Sequence, residues 1–240
     1  MNKNKAMIRK IVDEYDGFLT FREAYGLFTI ASSLKAKGCV VEIGSWKGKS
    51  TICIAKGILN KEMKIIAIDP HVGSQEHQGN GRVWTYDEFK ANIKDAGVEN
   101  QIVPILKYSN EARKEVSQSV EFLFIDGAHD YDSVKTDYEI WGPLLIDDGY
   151  LAFHDYQWEG VNRLVKEAVL AGSYKKAYFY DSLFIIQKTK KCNWFDRLRT
   201  RVMLKACDLL EEGNKVQGKC FKKKVLKNNA MFLRSVFAWL

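Results

Sequence analysis

Five short apolar runs set the fold: CVVEIG, KIIAID, QIVPIL, VEFLFID and YLAFHD, all between residues 39 and 155. Most of them close on Gly or Asp. Between them lie segments of helical period at 50–59, 86–96 and 131–145, and another follows at 161–171. Apolar runs this short, alternating with helices, suit strands buried on both faces of a parallel sheet. Two further runs, AYFY and LFIIQKT, have only Asp181 and Ser182 between them. No crossover helix fits there, so they must pair antiparallel. The expectation is a doubly wound α/β sheet of seven strands that ends in an antiparallel hairpin. Two helices within 7–34 precede it, the second closed by Gly38 as a C-cap. The DDG at 147–149 reads as a turn before the fifth strand.

Charge divides the chain. Residues 1–189 carry 24 Lys or Arg against 26 Asp or Glu, whereas residues 190–240 carry 13 against 4. The net charge of +7 therefore belongs to the tail. A near-neutral body gives no reason to expect nucleic acid in its active site. A tail of +9 suggests an anionic partner. Trp194, Leu198, Val202 and Leu209 fall on one helical face of that tail, with Phe195 and Ala206 beside it and Arg197, Arg199, Arg201 and Lys205 away from it. The expected division is 1–37 N-terminal helices, 38–189 catalytic domain, and 190–240 basic amphipathic helical tail. The five cysteines include no C-x-x-C pair, and Cys39 and Cys53 sit in apolar runs, as buried reduced thiols would. No apolar leader segment opens the chain and no run of 18 apolar residues occurs, so the expected place is the cytoplasm.

The segment VEIGSWKGKST at 41–51 is a strand, a Gly-containing turn and a helix start. Gly44 and Gly48 let the backbone approach a ligand, and the amides of Ser45, Trp46 and the helix start can hold polar groups. Glu42 at the strand end, with Thr51 on the helix, suits an amine-bearing ligand. The same stretch is one residue short of the phosphate-binding G-x-x-x-x-G-K-[ST] pattern, and FLFID could pass for its magnesium strand. A nucleotide-dependent kinase is therefore the competing reading. Asp69 ends the second strand, where an acidic residue can accept from both ribose hydroxyls of a nucleoside. Ser109 and Asn110 follow the third strand, where either a nucleobase contact or a plain turn is consistent. Residues 71–85 read as a Gly-rich loop over the site, with Trp84 as its cover or as a packed Trp.

The stretch 124–156 carries the most specific pattern. Asp126, Gly127, His129 and Tyr131 come first, then Asp137 and Trp141, then Gly149, and finally His154, Asp155 and Tyr156. In this it resembles the class I methyltransferases with D-G-x-H-x-Y and H-D-Y motifs, a family that includes O-methyltransferases of sugars and macrolides. The likeness spans about 40–170. It implies a Rossmann-like fold and S-adenosylmethionine as cofactor, bound by Glu42, Gly44, Ser45, Trp46, Gly48, Thr51, Asp69, Ser109 and Asp126. It also implies a hydroxyl acceptor on a sugar, glycan or other small molecule.

The acceptor hydroxyl needs a base or a metal to remove its proton. In one version His129 or His154 is the base, oriented by Asp126 or Asp155. In the other, Asp126 and Asp155 hold Mg²⁺, but His154 stands where relatives place a further oxygen ligand. Three of the four histidines, His71, His129 and His154, are expected on the rim formed by the strand ends, with His77 in the adjacent loop. The tail would lie on an anionic membrane, at its inner face, or pack on a second subunit as a homo-oligomer, or extend as a weakly ordered basic segment. A binding module that kept the fold and lost catalysis is the remaining alternative. Iron-dependent oxygenase chemistry lacks a trustworthy 2-His-1-carboxylate spacing.

Overall fold

The computed structural model describes residues 3–74 and 83–217. Seven strands form one sheet in the order β3-β2-β1-β4-β5-β7-β6: β1 (Cys39–Ile43), β2 (Ile65–Ile68), β3 (Ile102–Ile105), β4 (Val120–Ile125), β5 (Leu145–Phe153), β6 (Tyr174–Tyr180) and β7 (Leu183–Lys188). The first five are parallel, and β7 inserts antiparallel between β5 and β6. This is the Rossmann-like sheet with its terminal hairpin that the spacing of the apolar runs predicts.

Alternate residues of each central strand feed two separate cores. Val40, Ala67, Phe122, Phe124 and Ala152 face α1 (Lys3–Glu14), α2 (Phe21–Ser33), α3 (Lys49–Gly57) and α4 (Tyr86–Asp95). Val41, Ile43, Leu123, Ile125 and Phe153 face the other layer, which holds α6 (Tyr131–Trp141), α7 (Glu159–Ala171) and α8 (Trp194–Gln217). A short helix, α5 (Ser109–Ala112), follows β3 where a bare turn was expected.

Three local expectations change. Helix α2 stops at Leu34, in extended conformation, and not at Gly38. Gly38 is needed for a close approach instead: a Cβ there would stand 2.5 Å from the Ser119 carbonyl. The 147–149 turn lies inside β5, where Val120 pairs with Leu145 but Phe122 pairs with Tyr150, so 146–149 bulge out of register with Asp148 at φ +65°. The tail helix docks through Thr200, Met203, Leu204 and Cys207, all buried against β6 and α7. Ala206, expected beside the apolar stripe, is buried with them. The stripe itself points outward, with Trp194 at 66% and Leu209 at 64% exposure. Residues 218–240 lie outside the described part.

Candidate active site

The carboxyl ends of β1, β2, β4 and β5 open on one cleft of about 770 Å³, the edge where ligands bind in open α/β sheets. Its first wall is the turn after β1. Gly44 takes φ +86° and Trp46 φ +46°, and the Trp46 N–H donates to Asp69 Oδ2 at 2.7 Å. The other Asp69 oxygen accepts the His71 N–H at 2.6 Å. Each oxygen keeps a second lone pair for a ligand hydroxyl. The Ser45 hydroxyl is buried and has no hydrogen-bond partner among the described residues. On the opposite side Ser109 donates to Asp137. Burial pushes the Asp137 carboxyl up to about 6, against the pull of Ser109.

Of the candidate site residues, Gly44, Ser45, Trp46, Asp69, Ser109, Asp126, His129, His154 and Asp155 all line the cleft. Glu42, Gly48 and Thr51 are not among its lining residues. Glu42 shares the sheet face of Val40 and points at α3, where Thr51 donates to it. Burial there raises its carboxyl to about 8, with Ser50 and Thr51 opposing. Glu42 and Thr51 thus lie beneath the turn, and Gly48, in left-handed conformation, caps α3. His71 is not on the rim either. Its ring packs under Tyr86 and Phe89 and pairs with Thr85. Trp84 turns to Asp87 and does not line the cleft, and His77 lies outside the described residues. Lys49, the lysine a phosphate loop would aim at its ligand, gives its ammonium to the Val12 and Gly17 carbonyls at 3.1 and 3.0 Å.

The second wall holds the imidazoles. His154 Nδ1 lies 3.0 Å from Asp126 Oδ1 and 3.0 Å from Asp155 Oδ2. Its Nε2 faces Glu23 Oε2 at 3.5 Å. His129 Nε2 donates to the same Asp155 Oδ2 at 2.9 Å. Trp158 stacks on the His129 ring, centroids 4.9 Å apart and planes 13° apart. Burial works against a charged His154, yet Asp126, Asp155 and Glu23 together raise its pKa well above the ordinary value. Burial would raise Asp155 too, but the two imidazoles hold it well below the usual carboxylate range. Asp126 is shifted up by burial, with His154 opposing.

Magnesium does not fit this cluster. Mg²⁺ takes an octahedral shell of oxygens, whereas Asp126, His154 and Asp155 offer a nitrogen and two carboxylate oxygens, all within 4.8 Å of one another, a set that could hold a metal ion of mixed nitrogen–oxygen preference. Both Asp155 oxygens already accept N–H donors, Oδ1 from Gln157 and Oδ2 from the imidazoles. Two residues of this site had no signal as site residues in the sequence. Glu23 reads only as the third-position Glu of a helix-capping box with Thr20. Trp158 is one aromatic three positions past Asp155.

A Gly-containing turn after β1, an acidic end to β2 and a sheet of this order make a Rossmann-like α/β fold. Residues 41–156 match the model of a methyltransferase domain. An uncharacterized protein of Acanthamoeba polyphaga mimivirus is 30% identical over 152 residues, which are 58% of this chain and 64% of that one. The chain therefore spans less than two thirds of that relative's length. Among solved structures, the O-methyltransferase NovP superposes with a TM-score of 0.61 at 13% identity, over 71% of this chain and 81% of its own. The O-methyltransferase TomG from Streptomyces achromogenes, in complex with S-adenosylmethionine, gives 0.56 at 12% identity, over 79% and 91%. At these identities the likeness is one of fold.

Proposed function

We propose that this chain is an S-adenosylmethionine-dependent methyltransferase whose acceptor is a hydroxyl oxygen. One juxtaposition carries the reading: the Gly44–Trp46 turn tied to Asp69 faces the His129–Asp155 pair across a single cleft. The first half suits a nucleoside with an amino-acid tail. The second suits proton removal from an alcohol.

S-adenosylmethionine, when bound, would supply an activated methyl group in line with the acceptor oxygen. The buried Ser45 hydroxyl offers a hydrogen bond to its polar part, and Asp69 accepts from the ribose. The methyl group would pass from sulfur to the acceptor oxygen, its bond to sulfur breaking and S-adenosylhomocysteine leaving, and His129 would take the hydroxyl proton. Asp155, accepting from His129 Nε2, orients the ring and stabilises it once charged. His154 is enclosed by carboxylates and only 3% exposed, so His129 is the base of the two candidates. Trp158, 44% exposed at the mouth, offers a flat apolar face of the kind that sugar rings stack on. This favours a sugar or glycan acceptor.

The tail supports a peripheral place at the cytoplasmic face of an anionic membrane. The outward stripe of Trp194, Leu198 and Leu209 is flanked by exposed Arg197, Arg201 and Lys205, a pairing that suits acidic headgroups. No described helix is long and apolar enough to cross a membrane.

The test is thermal stabilisation by S-adenosylhomocysteine, beside ATP and NAD. A rise in melting temperature that Asp69→Ala abolishes is expected. Stabilisation by ATP alone would overturn the assignment and revive the kinase reading.

A further inference from the structure

The turn after β1 carries two lysines that the proposed cofactor contacts leave unexplained. Lys47 pairs with Asp16 at 2.7 Å and with Glu88 at 3.0 Å. Lys49 donates to the Val12 and Gly17 carbonyls. Asp16 and Gly17 lie in the connector between α1 and α2, so both lysines tie that connector to the turn. Gly17 fits the same contact. A Cβ there would stand 3.2 Å from Lys49 Cβ, and a φ of +144° disfavours a side chain in any case. The connector is therefore fixed against the site, although it lies outside the matched segment 41–156.

The next two residues of the connector part company. Leu19 is buried in the core, whereas Phe18 is 73% exposed and lines the cleft. A single exposed apolar side chain needs no account. Phe18 differs because its ring lies 6.5 Å from that of Trp46, tilted by 44°, and Trp46 lines the cleft too. The lysine anchors thus hold one aromatic ring in water beside a second, at the edge of the sheet where ligands bind.

The proposed contacts say which part of the cofactor meets these rings. Asp69 takes the ribose and Ser45 the amino-acid end, and the sulfur of S-adenosylmethionine joins those two halves. Trp46 stands between the two contacts: it follows Ser45 in the chain, and its N–H donates to Asp69. The place of the sulfur is therefore beside the Trp46–Phe18 pair. That sulfur is a sulfonium cation, and aromatic faces attract cations within about 6 Å of the ring centroid. After methyl transfer it is a neutral thioether, and the attraction is gone.

We propose that Phe18 and Trp46 form an aromatic wall for the sulfonium, raising affinity for the charged cofactor relative to its neutral, spent form. The inference rests on the proposed methyltransferase reading and adds to it a residue of the α1–α2 connector and a ligand preference. Positive charge leaves the sulfur as the methyl moves, so such a wall does not speed the chemical step. It favours exchange of spent cofactor for fresh.

The test needs no acceptor. The full chain is titrated by calorimetry with S-adenosylmethionine and, separately, with S-adenosylhomocysteine, and the readout is the ratio of the two dissociation constants. Phe18→Leu keeps an apolar side chain but removes the aromatic face. It should weaken S-adenosylmethionine about three- to tenfold and leave S-adenosylhomocysteine within about twofold. Phe18→Tyr should keep the wild-type ratio. Because Phe18 is exposed, both variants should melt within a few degrees of the wild type. An unchanged ratio in Phe18→Leu would overturn the proposal, since the ring then does not meet the cation. Equal weakening of both ligands would overturn it too, since the ring then only packs. Binding of neither ligand by the wild type would sink the methyltransferase reading itself, and this inference with it.

Discussion

A Cβ on Gly44 would stand 2.0 Å from the carbonyl oxygen of Asp126. The turn after β1 and the strand end that carries Asp126 thus touch backbone to backbone. Gly44 also sits at φ +86°, a region that costs an L-residue about 1–2 kcal/mol. Gly44→Ala therefore combines strain with a clash against main chain, which cannot rotate away. We expect a loss of at least about 3 kcal/mol in urea unfolding. Stabilisation by S-adenosylhomocysteine should go with it. A variant of wild-type stability would mean that the two turns are not in contact.

Asp137 gives a pH-dependent prediction. Its folded pKa of about 6 exceeds the ordinary 3.8 because burial disfavours its charge. The native state therefore holds this proton more tightly than the unfolded chain. The contribution is favourable below about pH 4, where both states are protonated. It is lost as pH rises to about 6 and stays lost above. Asn keeps the shape and can still accept from Ser109. Asp137→Asn should match the wild type at about pH 4 and exceed it by about 1–3 kcal/mol at about pH 7. A difference that does not vary with pH would mean that burial is not what raises this carboxyl.

Trp158 separates packing from chemistry. Its ring is 44% exposed, so removing it should change stability by no more than about 1 kcal/mol. The stacked His129, however, loses the face that fixes its orientation. Trp158→Ala should lower kcat on the first acceptor identified by about ten- to a hundredfold, a typical range for a misplaced general base. Trp158→Phe should recover most of it. If Ala and wild type turn over alike, Trp158 does not set the His129 orientation.

The parallel sheet and its hairpin are legible because short apolar runs and loop lengths are local properties. The motif residues at the ends of β2, β4 and β5 are legible for the same reason: strand ends share one edge. Which way a side chain points near that edge is less legible. His71 is at the end of β2 like Asp69, but its left-handed backbone turns the ring under Tyr86. Glu42 obeys strand alternation and so faces α3 and does not line the cleft. Glu23 shows the limit of local reading. Its capping role is written in four consecutive residues, whereas its meeting with His154 and Ser182 depends on the packing of α2 against the β6–β7 turn. The tail shows another limit. Periodicity finds an apolar stripe on α8 but does not say that the opposite, less apolar face carries Met203, Leu204 and Cys207 into the core.

That outward stripe can be tested without touching the cleft. Trp194, Leu198 and Leu209 are exposed, so replacing Trp194 and Leu209 by Ser should leave the melting temperature within a few degrees of wild type. The same double variant should bind vesicles containing phosphatidylglycerol about a hundredfold more weakly or worse, because each of the two side chains contributes about 1.5–3 kcal/mol when it leaves water and about 1.4 kcal/mol is tenfold. Charge contributes separately: binding of the wild type should fall steeply between low and physiological salt, since the basic residues act through a screened field. Equal binding to neutral phosphatidylcholine vesicles would remove the anionic-surface reading. Concentration-dependent dimerisation that the double variant abolishes would assign the stripe to a second copy of the chain.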